Sequence, residues 1–510
     1  MGAAVAALLV VLVVGLARAT GEDERGPDRT ADYVPRGALL YLSLASAGED
    51  EQAERASALA RDVPGLARLR AALLQRVTAP AGDFDWDRDI RPWLGREAAV
   101  AVVGPETASA TSLLVLSAGE EKGAREFASR VAGTSTGAEY RGTRVLGGGS
   151  VAAALHKGYL LVGTPTVVRA SLDAGAGAAP ALGSETEFRE LRDDLPEQRV
   201  ADGYASAAGV QALLDGPAAV LRGLPGATTL GAGSFAASVE DGRARLSLRF
   251  RGGGATGGCA ARRGRAAPVA SGVAADVLAY VGLRGGDCLL QSLIAQPTSG
   301  VGGELRRLAA AARGSDPPVD LQRELLPLLS GQAAITLDSS GTGGPVLALA
   351  AGDVEEARAL DVLGRLQPAL GTLAQAESVG QAPTFQTREV ATGITALTAD
   401  LAPNLQLSYA AKNDRLILAT APTGVVAAAS GRGLEESQDF RLLLGDRPRG
   451  PSDLVFADLD GLLKLADQVG LTNEPSYVAV RDDLAKFGAA GAVISREGNQ
   501  TAVEVLLKTP

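Results

Sequence analysis

Residues 88–102 read RDIRPWLGREAAVAV, and a second stretch, residues 323–337, reads RELLPLLSGQAAITL. Pro92 in the first stretch aligns with Pro327 in the second, and a pair of alanines and an apolar run follow in both. Four further blocks align in the same order, namely 34–44 with 273–283, 113–127 with 346–360, 153–171 with 409–430, and 238–250 with 495–507. This shared order predicts an internal duplication.

The duplication sets the predicted domain boundaries. The first copy spans 34–252 and the second spans 272–510, and the Gly-rich, basic stretch 253–271 between them is predicted to be a flexible linker. The second copy carries an insertion between Leu366 and Tyr409. Two domains also suit the length, because 510 residues exceed what one ordinary hydrophobic core encloses.

The periodicity within the first copy mixes helices and strands. Residues 120–131 have amphipathic helical spacing, and Ser184 with Glu187 predicts a capping box. The strand that ends near Phe250 alternates apolar with basic residues, which is typical of an antiparallel sheet with one face in water. Further strands are predicted over 38–44, 97–103, 112–117, 139–146, 151–156 and 159–163, and further helices over 53–77 and 166–173.

We therefore predict an α+β fold. It consists of two tandem homologous two-layer units, each a mostly antiparallel sheet covered by helices on one side, after an N-terminal apolar helix.

The first 19 residues form an apolar segment with no charged side chain before Arg18. The tripeptide from Ala17 to Ala19 fits a signal-peptide cleavage site, whereas the continuous apolar run fits an uncleaved membrane anchor. A buried N-terminal helix is the third interpretation. Residues 20–33 follow as a polar linker. We predict a body outside the cytoplasm, either attached to the membrane through this segment or secreted.

Composition argues against several classes of function. The net charge is −10 and the basic residues form no cluster beyond Arg262, Arg263 and Arg265, so no nucleic-acid partner is expected. Two cysteines and one histidine are too few for Cys/His zinc sites or iron–sulfur clusters, and we predict no cofactor. Outside the cytoplasm Cys259 and Cys288 can pair as a disulfide; the alternative is two unpaired thiols.

An acidic segment overlaps the first quoted stretch. Its members are Asp83, Asp85, Trp86, Asp87, Asp89 and Trp93. The spacing is that of the start of a calcium loop, but Arg88 and Leu94 stand where an EF-hand requires glycine and glutamate. Two interpretations remain. One is a weak surface site for a cation or ligand; the other is a helix N-terminus whose tryptophans pin the helix to the sheet.

Residues 133–137 read GTSTG and fit the G-x-S-x-G pattern of a nucleophile elbow. An elbow needs a strand before its serine and a helix after it, whereas here a predicted helix precedes and a strand follows. His156, the single histidine that a triad would need, is predicted in a hairpin strand. We predict an ordinary loop at this position.

Three stretches together resemble a known family: DFDWDRDIRPWLGREAAVAVV (83–103), VPRGALLYLSL (34–44) and GYLLVGTPTVVRASLD (158–173). They are similar to the bacterial, largely actinobacterial, domain of unknown function 3352. The resemblance covers most of 34–250 and, more weakly, the second copy. It implies a hydrophobic segment near the N-terminus, a body outside the membrane and no established activity, so no functional residue carries over.

The two copies share backbone and core features and not candidate chemistry. The shared positions are Pro92/Pro327, Pro165/Pro422, Gly119/Gly352 and Gly242/Gly498. The unshared ones are His156 opposite Asn413, Asp87 opposite Gln322, and Asp83 opposite Pro318. We therefore predict a non-enzymatic extracytoplasmic binding or structural module of the cell envelope, with an envelope protein or a lipid as partner. The alternatives are a hydrolase with a carboxylate-only site and a lipid or lipoprotein carrier with an apolar cavity.

Overall fold

The computed structural model describes most of the chain between residues 29 and 509. The described residues are 29–45, 55, 59, 84–104, 110–134, 136–197, 199–215, 229–240, 242–252, 270–295, 300–340, 344–377, 383–402, 405–430, 433–445 and 452–509. The predicted N-terminal helix (1–19), most of the predicted helix 53–77 and residues 253–269 of the predicted linker lie outside them. No described helix is both long and apolar enough to cross a membrane.

The strands of the first half, residues 29–252, all pair antiparallel. They are β1 (Ala38–Ala45), β2 (Leu94–Val103), β3 (Thr111–Ala118), β4 (Gly137–Tyr140), β5 (Thr143–Gly147), β6 (Ala152–His156), β7 (Tyr159–Gly163), β8 (Ala201–Ala205), β9 (Leu230–Glu240) and β10 (Arg243–Gly252). Their order across the sheet is β4-β5-β6-β7-β3-β2-β1-β8-β9-β10.

The second half, residues 270–509, repeats this order strand for strand. Its strands are β11 (Ala279–Leu283), β12 (Ala333–Ser340), β13 (Gly344–Ala351), β14 (Gln386–Ala391), β15 (Ile394–Ala402), β16 (Leu405–Lys412), β17 (Arg415–Ala419), β18 (Ser452–Asp458), β19 (Ala489–Glu497) and β20 (Gln500–Lys508). They run β14-β15-β16-β17-β13-β12-β11-β18-β19-β20, again antiparallel. The predicted α+β class with a largely antiparallel sheet is confirmed.

The two halves form one continuous sheet. Strand β10 pairs with β20 from Arg243 opposite Lys508 to Arg251 opposite Gln500. The outer edges of this sheet are β4 and β14, whose residues are mostly exposed and polar. Polar, short edge strands discourage pairing with other chains.

Eleven described helices of seven residues or more flank the sheet. They are α1 (Glu121–Ala132), α2 (Pro165–Gly175), α3 (Thr186–Asp193), α4 (Ala207–Asp215), α5 (Gly286–Ala295), α6 (Gly300–Arg313), α7 (Glu356–Glu377), α8 (Pro422–Ser430), α9 (Gln438–Leu444), α10 (Leu459–Gln468) and α11 (Pro475–Leu484). Helix α7 has 22 residues where α1 has 12, so it takes up part of the insertion in the second half.

Helices cover both faces of the sheet. Helix α1 places Phe127 in the same core as Leu114, whereas α2 places Val168 in the same core as Leu113. Neighbouring residues of a strand point to opposite faces, so these are two separate cores. The second half has the same arrangement. The predicted two-layer unit is therefore wrong, because a helix layer lies on each side of the sheet.

The basic face of β10 is only partly buried. Arg249 lies 3.8 Å from Glu504 on β20, and Arg251 lies 3.6 Å from Glu187 on α3. The side chain of Arg249 is 24% exposed and that of Arg251 is 37% exposed, so this face stays in contact with water. The alternation in β10 therefore separates an apolar face from a face of ion pairs.

Both predicted linkers end earlier than the sequence suggested. Thr30–Tyr33 form a 3₁₀ turn in which Thr30, Ala31 and Tyr33 are buried. Ala270–Gly272 form the matching turn of the second half. These residues belong to the folded body.

Two local predictions in the first half are corrected. The predicted strand 139–146 is a hairpin, because Arg141 and Gly142 take positive φ angles of 49° and 72° and reverse the chain. The predicted capping box is not formed. Ser184 instead donates its hydroxyl to the carbonyl oxygen of Ala181 at 2.6 Å, and α3 begins only at Thr186.

Within the acidic segment, Trp86–Ile90 form a π-helical turn that leads into β2. The Asp85 carboxylate accepts the backbone N–H of Arg88 at 2.8 Å, and the Asp89 carboxylate accepts the backbone N–H of Asp85 at 2.9 Å. Asp89 also accepts Nη1 of Arg130, on α1, at 2.8 Å. Hydrogen bonds within the turn therefore hold its conformation, and the Asp89–Arg130 ion pair attaches it to α1.

The second half contains the same device. Its π-helical turn is Leu321–Leu325, and Glu324 accepts the backbone N–H of Asp320 at 2.9 Å. Arg365, on α7, donates to Glu324 at 2.5 Å. We call Asp89–Arg130 and Glu324–Arg365 the carboxylate–arginine pairs.

Replacing Asp89 by Asn keeps the side chain's shape and removes the charge that Arg88 and Arg130 stabilise. We expect the free energy of unfolding to fall by about 1–3 kcal/mol at neutral pH, the typical worth of hydrogen bonds to a charged group. Glu121→Gln is the control, because its ion pair with Arg125 on α1 is exposed and is worth less than about 1 kcal/mol. Equal losses for both variants in urea unfolding would contradict the role assigned to Asp89.

The same pair gives a pH dependence. Hydrogen bonds from Arg88 and Arg130 hold the pKa of Asp89 well below its ordinary value, although burial opposes them. A carboxyl group with a depressed folded-state pKa contributes stability above its unfolded-state pKa and loses it as the pH falls. Below about pH 4 the wild type should therefore lose more stability than Asp89→Asn. Parallel pH curves in thermal unfolding would contradict this expectation.

Candidate functional site

A pocket of about 450 Å³ opens in the second half, between β15–β17 and α8. It is lined by Gly272, Thr392, Ile394, Lys412, Asn413, Arg415, Ile417 and Ala429. The polar lining groups are two cations, an amide and a hydroxyl, and the other side chains are aliphatic. The volume lies within the usual range of small-ligand sites.

Lys412 and Arg415 reach the pocket from two strands joined by a tight turn. They are the closing pair of the β16–β17 hairpin, whose turn residues Asn413 and Asp414 have φ angles of 54° and 56°. Asn and Asp tolerate this left-handed conformation better than other side chains do. Residues directly opposite each other in an antiparallel pair project to the same face, so the two cationic side chains emerge side by side.

Gly272 leaves the opposite wall of the pocket without a side chain. It ends the 3₁₀ turn before Val273, whose carbonyl oxygen accepts the backbone N–H of Leu434 at 2.9 Å. A Cβ at position 272 would overlap the guanidinium of Arg415. Arg415 therefore occupies space that is open only because residue 272 is glycine.

Topology identifies the corresponding corner of the first half. The backbone bond from Leu182 to the carbonyl oxygen of Val34, 2.8 Å long, matches the bond to Val273 in the second half. Tyr33 therefore stands where the second half has Gly272.

His156 and Tyr159 close the β6–β7 hairpin, so they correspond to Lys412 and Arg415. The sequence alignment placed His156 opposite Asn413, and this is wrong by one residue. The hairpin-closing pairs align His156 with Lys412. The second half has one more residue between β17 and α8 than the first half has between β7 and α2, so Pro165 still aligns with Pro422.

Aromatic side chains fill the corner of the first half. Tyr33 is 5% exposed and packs against Tyr159 with ring centroids 4.7 Å apart, and its ring meets His156 edge-on at 6.2 Å. The Tyr159 hydroxyl donates to Glu97 at 2.7 Å, and Nδ1 of His156 lies 2.7 Å from the Thr143 hydroxyl. We call these five residues the aromatic corner.

Burial keeps the aromatic groups of this corner uncharged. It raises the pKa of Tyr159, and the hydrogen bond to Glu97 acts in the same direction. Burial lowers the pKa of His156, helped by the positive charge of Lys157, so the imidazole is neutral at pH 7. The aromatic corner is therefore a packed polar cluster in which the imidazole and both phenol groups are neutral.

Two large-to-small differences account for the pocket. Tyr33 is matched by Gly272, and Leu172, 1% exposed on α2, is matched by Ala429 on α8. The Arg415 guanidinium takes up part of the space that Tyr33 fills in the first half, and the pocket is the space that remains open beside it. Sequence reasoning missed it, although the signal was present: Gly272 directly precedes the aligned block 273–283.

The tryptophans of the acidic segment lie in the core. Trp86 and Trp93 are 6% and 4% exposed. The ring of Trp93 packs against Phe127 at 5.4 Å, and its indole N–H donates to the carbonyl oxygen of Asp89 at 2.7 Å. Both rings therefore pin the π-helical turn between α1 and the sheet.

The carboxylates of this segment are engaged within the turn. Asp85 and Asp89 hold the backbone and arginine contacts described above, and Asp87 lies 3.6 Å from Arg91. Asp83 lies outside the described residues. Within the described part of the chain, no group of three or more His, Cys, Asp or Glu side chains is arranged to hold a metal ion.

The remaining sequence candidates fall on or near helices. Cys288 lies on α5 and is disulfide-bonded, whereas Cys259 lies outside the described residues, so their mutual pairing stays a prediction. In the G-x-S-x-G stretch, α1 ends at Ala132 before it and β4 begins at Gly137, while Ser135 lies outside the described residues. A helix precedes the stretch and a strand follows it, which is the reverse of a nucleophile elbow.

Tyr33→Ala should open in the first half a cavity like the pocket of the second. We expect it to lower the free energy of unfolding by about 3 kcal/mol, the usual cost of removing a buried aromatic ring. Ala429→Leu adds a side chain where space exists and should change stability by less than about 1 kcal/mol. Urea unfolding that gave a large loss for Ala429→Leu would contradict the claim that this space is open.

A family model matches the first part of the chain. The model of a family described as Protein of unknown function (DUF3352) matches residues 1–239. No curated protein matches the chain. Crystal form I of TP0453 is 12% identical with a TM-score of 0.28, covering 43% of this chain and 77% of that one; crystal form III is 13% identical with a TM-score of 0.27, covering 45% and 80%. The family resemblance inferred from the sequence is supported over residues 1–239.

Proposed function

We propose that this protein is a non-enzymatic, extracytoplasmic binding module of the cell envelope, and that its ligand occupies the pocket in the second half. One observation carries the proposal. Two halves with the same strand order differ at one corner, where the first half is filled by aromatic side chains and the second is open. A corner that is packed in the first half and open in the second indicates that the second half has gained space for a ligand.

The proposal includes an origin by duplication. The matching strand orders, the two π-helical turns and the two carboxylate–arginine pairs support descent of both halves from one unit. On this interpretation the aromatic corner of the first half serves only packing, and the corresponding corner of the second half has become a ligand-binding pocket.

The lining of the pocket favours binding over hydrolysis. A carboxylate-only hydrolase needs two acidic groups, one to donate and one to accept a proton or to attack. The side chains that line the pocket are cationic, amide, hydroxyl or aliphatic. They can hold and orient a ligand but supply no acid–base pair of that kind.

The extracytoplasmic location rests on two features. The first 19 residues form an apolar segment of the kind that directs export or anchors a protein. Cys288 is disulfide-bonded, and stable disulfides are typical of oxidising compartments outside the cytoplasm.

Refilling the pocket tests the proposal. The full chain, purified under non-denaturing conditions, should carry a small molecule detectable by native mass spectrometry, and Ala429→Leu should lose it because the added side chain occupies the ligand's space. Thr423→Leu is the matched control, since Thr423 lies exposed on the same helix, α8, and does not line the pocket. Equal occupancy in both variants, or no bound molecule in the wild type, would overturn the proposed function.

A further inference from the structure

The helical hairpin of α10 and α11 carries exposed apolar side chains. Within the part of the chain that the structure describes, five large hydrophobic side chains are exposed, and three of them lie in this hairpin. They are Val469 and Leu471 in the connection between the helices, and Val478 on α11; their exposed fractions are 53%, 40% and 54%. We call these three residues the apolar tip.

We propose that the apolar tip docks on the surface of a lipid bilayer. This inference goes beyond the proposed function and does not involve the pocket. Aliphatic side chains on an exposed helix can enter the boundary between lipid headgroups and acyl chains, to a depth of about 5–10 Å. There they leave water, and this transfer is the favourable step.

The apolar tip lies in a stretch that is poor in charge. Residues 468–480 contain one charged side chain, that of Glu474. A surface of this kind neither needs anionic lipid nor is strongly repelled by it, so docking should depend little on ionic strength. The exposed charges on either side of this stretch are two carboxylates and two ammonium groups, namely Asp460, Lys464, Asp482 and Lys486.

Contacts between the two helices hold the apolar tip in place. Tyr477 donates its hydroxyl to Asp467 at 2.8 Å, and Arg481 donates Nη2 to the other oxygen of the same carboxylate at 2.6 Å. Leu463 and Leu465 of α10 are buried. Because the helices are already fixed to each other and to the body, docking orders few additional groups and loses little conformational entropy.

The chain enters the described body at the end of the sheet where this hairpin begins. The backbone N–H of Arg29 donates to Glu97 at 3.4 Å, and Glu97 pairs with Ala45 at the end of β1. The strands in the order β1-β8-β9-β10-β20-β19-β18 alternate in direction, so β18 ends on the same side as β1, and α10 begins directly after it at Leu459. Leu44 of β1 and Leu459 belong to the same core.

A bilayer that holds the apolar segment 1–19 is within reach of the apolar tip. Residues 20–28 join this segment to the body, and such a stretch extends over at most about 30 Å. Strand spacings of about 4.8 Å place β18 roughly 29 Å from β1. Attachment through the segment keeps the apolar tip near the membrane at a high effective concentration, so a weak apolar contact suffices.

A second copy of the chain is a poorer occupant than a bilayer. A stable protein interface buries about 800 Å² per partner, which is far more than three partly exposed aliphatic side chains provide. A bilayer sets no such lower limit when the protein is already attached to it. The size of the apolar tip therefore favours a lipid surface.

Fluorescence quenching tests the proposal on the full chain incorporated into phosphatidylcholine vesicles. Leu471→Trp places an indole in the apolar tip, and lipids brominated on their acyl chains should remove most of its added emission. Leu360→Trp is the matched control, because Leu360 is also 40% exposed and its helix, α7, packs in a different core. The added emission of this control should not change. The native Trp86 and Trp93 are buried and give the same background in every variant.

A second substitution separates apolar docking from simple proximity to the membrane. Val478→Asp, added to Leu471→Trp, places a carboxylate in the apolar tip and should restore most of the quenched emission, because a charged group is costly to remove from water. Val478 is 54% exposed, so the fold should tolerate the change, and circular dichroism of each variant checks this. Raising the salt concentration should leave the quenching unchanged.

Four results would overturn the proposal. Leu471→Trp might show no quenching by brominated lipid, or the same quenching as Leu360→Trp. Quenching that high salt abolishes would assign the contact to charges. Quenching that Val478→Asp leaves unchanged would show that the apolar tip is not responsible. A dimer in sedimentation that Val478→Asp dissociates, without quenching by brominated lipid, would identify a second copy of the chain as the occupant.

Discussion

The antiparallel pairing of β10 with β20 is the contact on which the arrangement of both halves depends. It is the only route by which the described strands of the two halves become one sheet, and it places Leu246 opposite Val505 and Leu248 opposite Val503. The same core holds Leu44 from β1 and Phe487 from the second half. Strand β20 therefore covers the edge of β10, and β10 covers the edge of β20, so neither strand is left as an exposed edge of the sheet.

Much of this fold follows from the sequence because its repeats coincide with strands. The aligned blocks mark β1 with β11, β2 with β12, β3 with β13, and β10 with β20. The number of layers did not follow, because it was inferred from the alternation in β10 alone. Strand β3 held the better signal: Leu113 to Leu116 form a continuous apolar run, fully buried, as expected of a strand covered on both faces.

The candidate site was harder to predict for a physical reason. Sequence motifs report side chains that are present, and the pocket depends on side chains that are missing at Gly272 and Ala429. Those two positions are far apart in the chain and each is unremarkable in a sequence rich in Gly and Ala. The missing side chains become visible only by comparison with the first half, which has Tyr33 and Leu172 at the matching positions. The acidic segment shows the converse, because its carboxylates are conspicuous in sequence and serve the turn.

The β10–β20 pairing also has a consequence for how the chain acquires its fold. The paired residues Arg251 and Gln500 are about 250 positions apart, so β10 waits for its partner while nearly all of the second half is synthesised. During that interval the uncovered edge of β10 exposes its backbone N–H and C=O groups to solvent. A β20 from another molecule offers the same register, so intermolecular exchange at this seam competes with closure at high concentration. Vectorial delivery of one chain at a time, as in synthesis or export, favours the intramolecular partner.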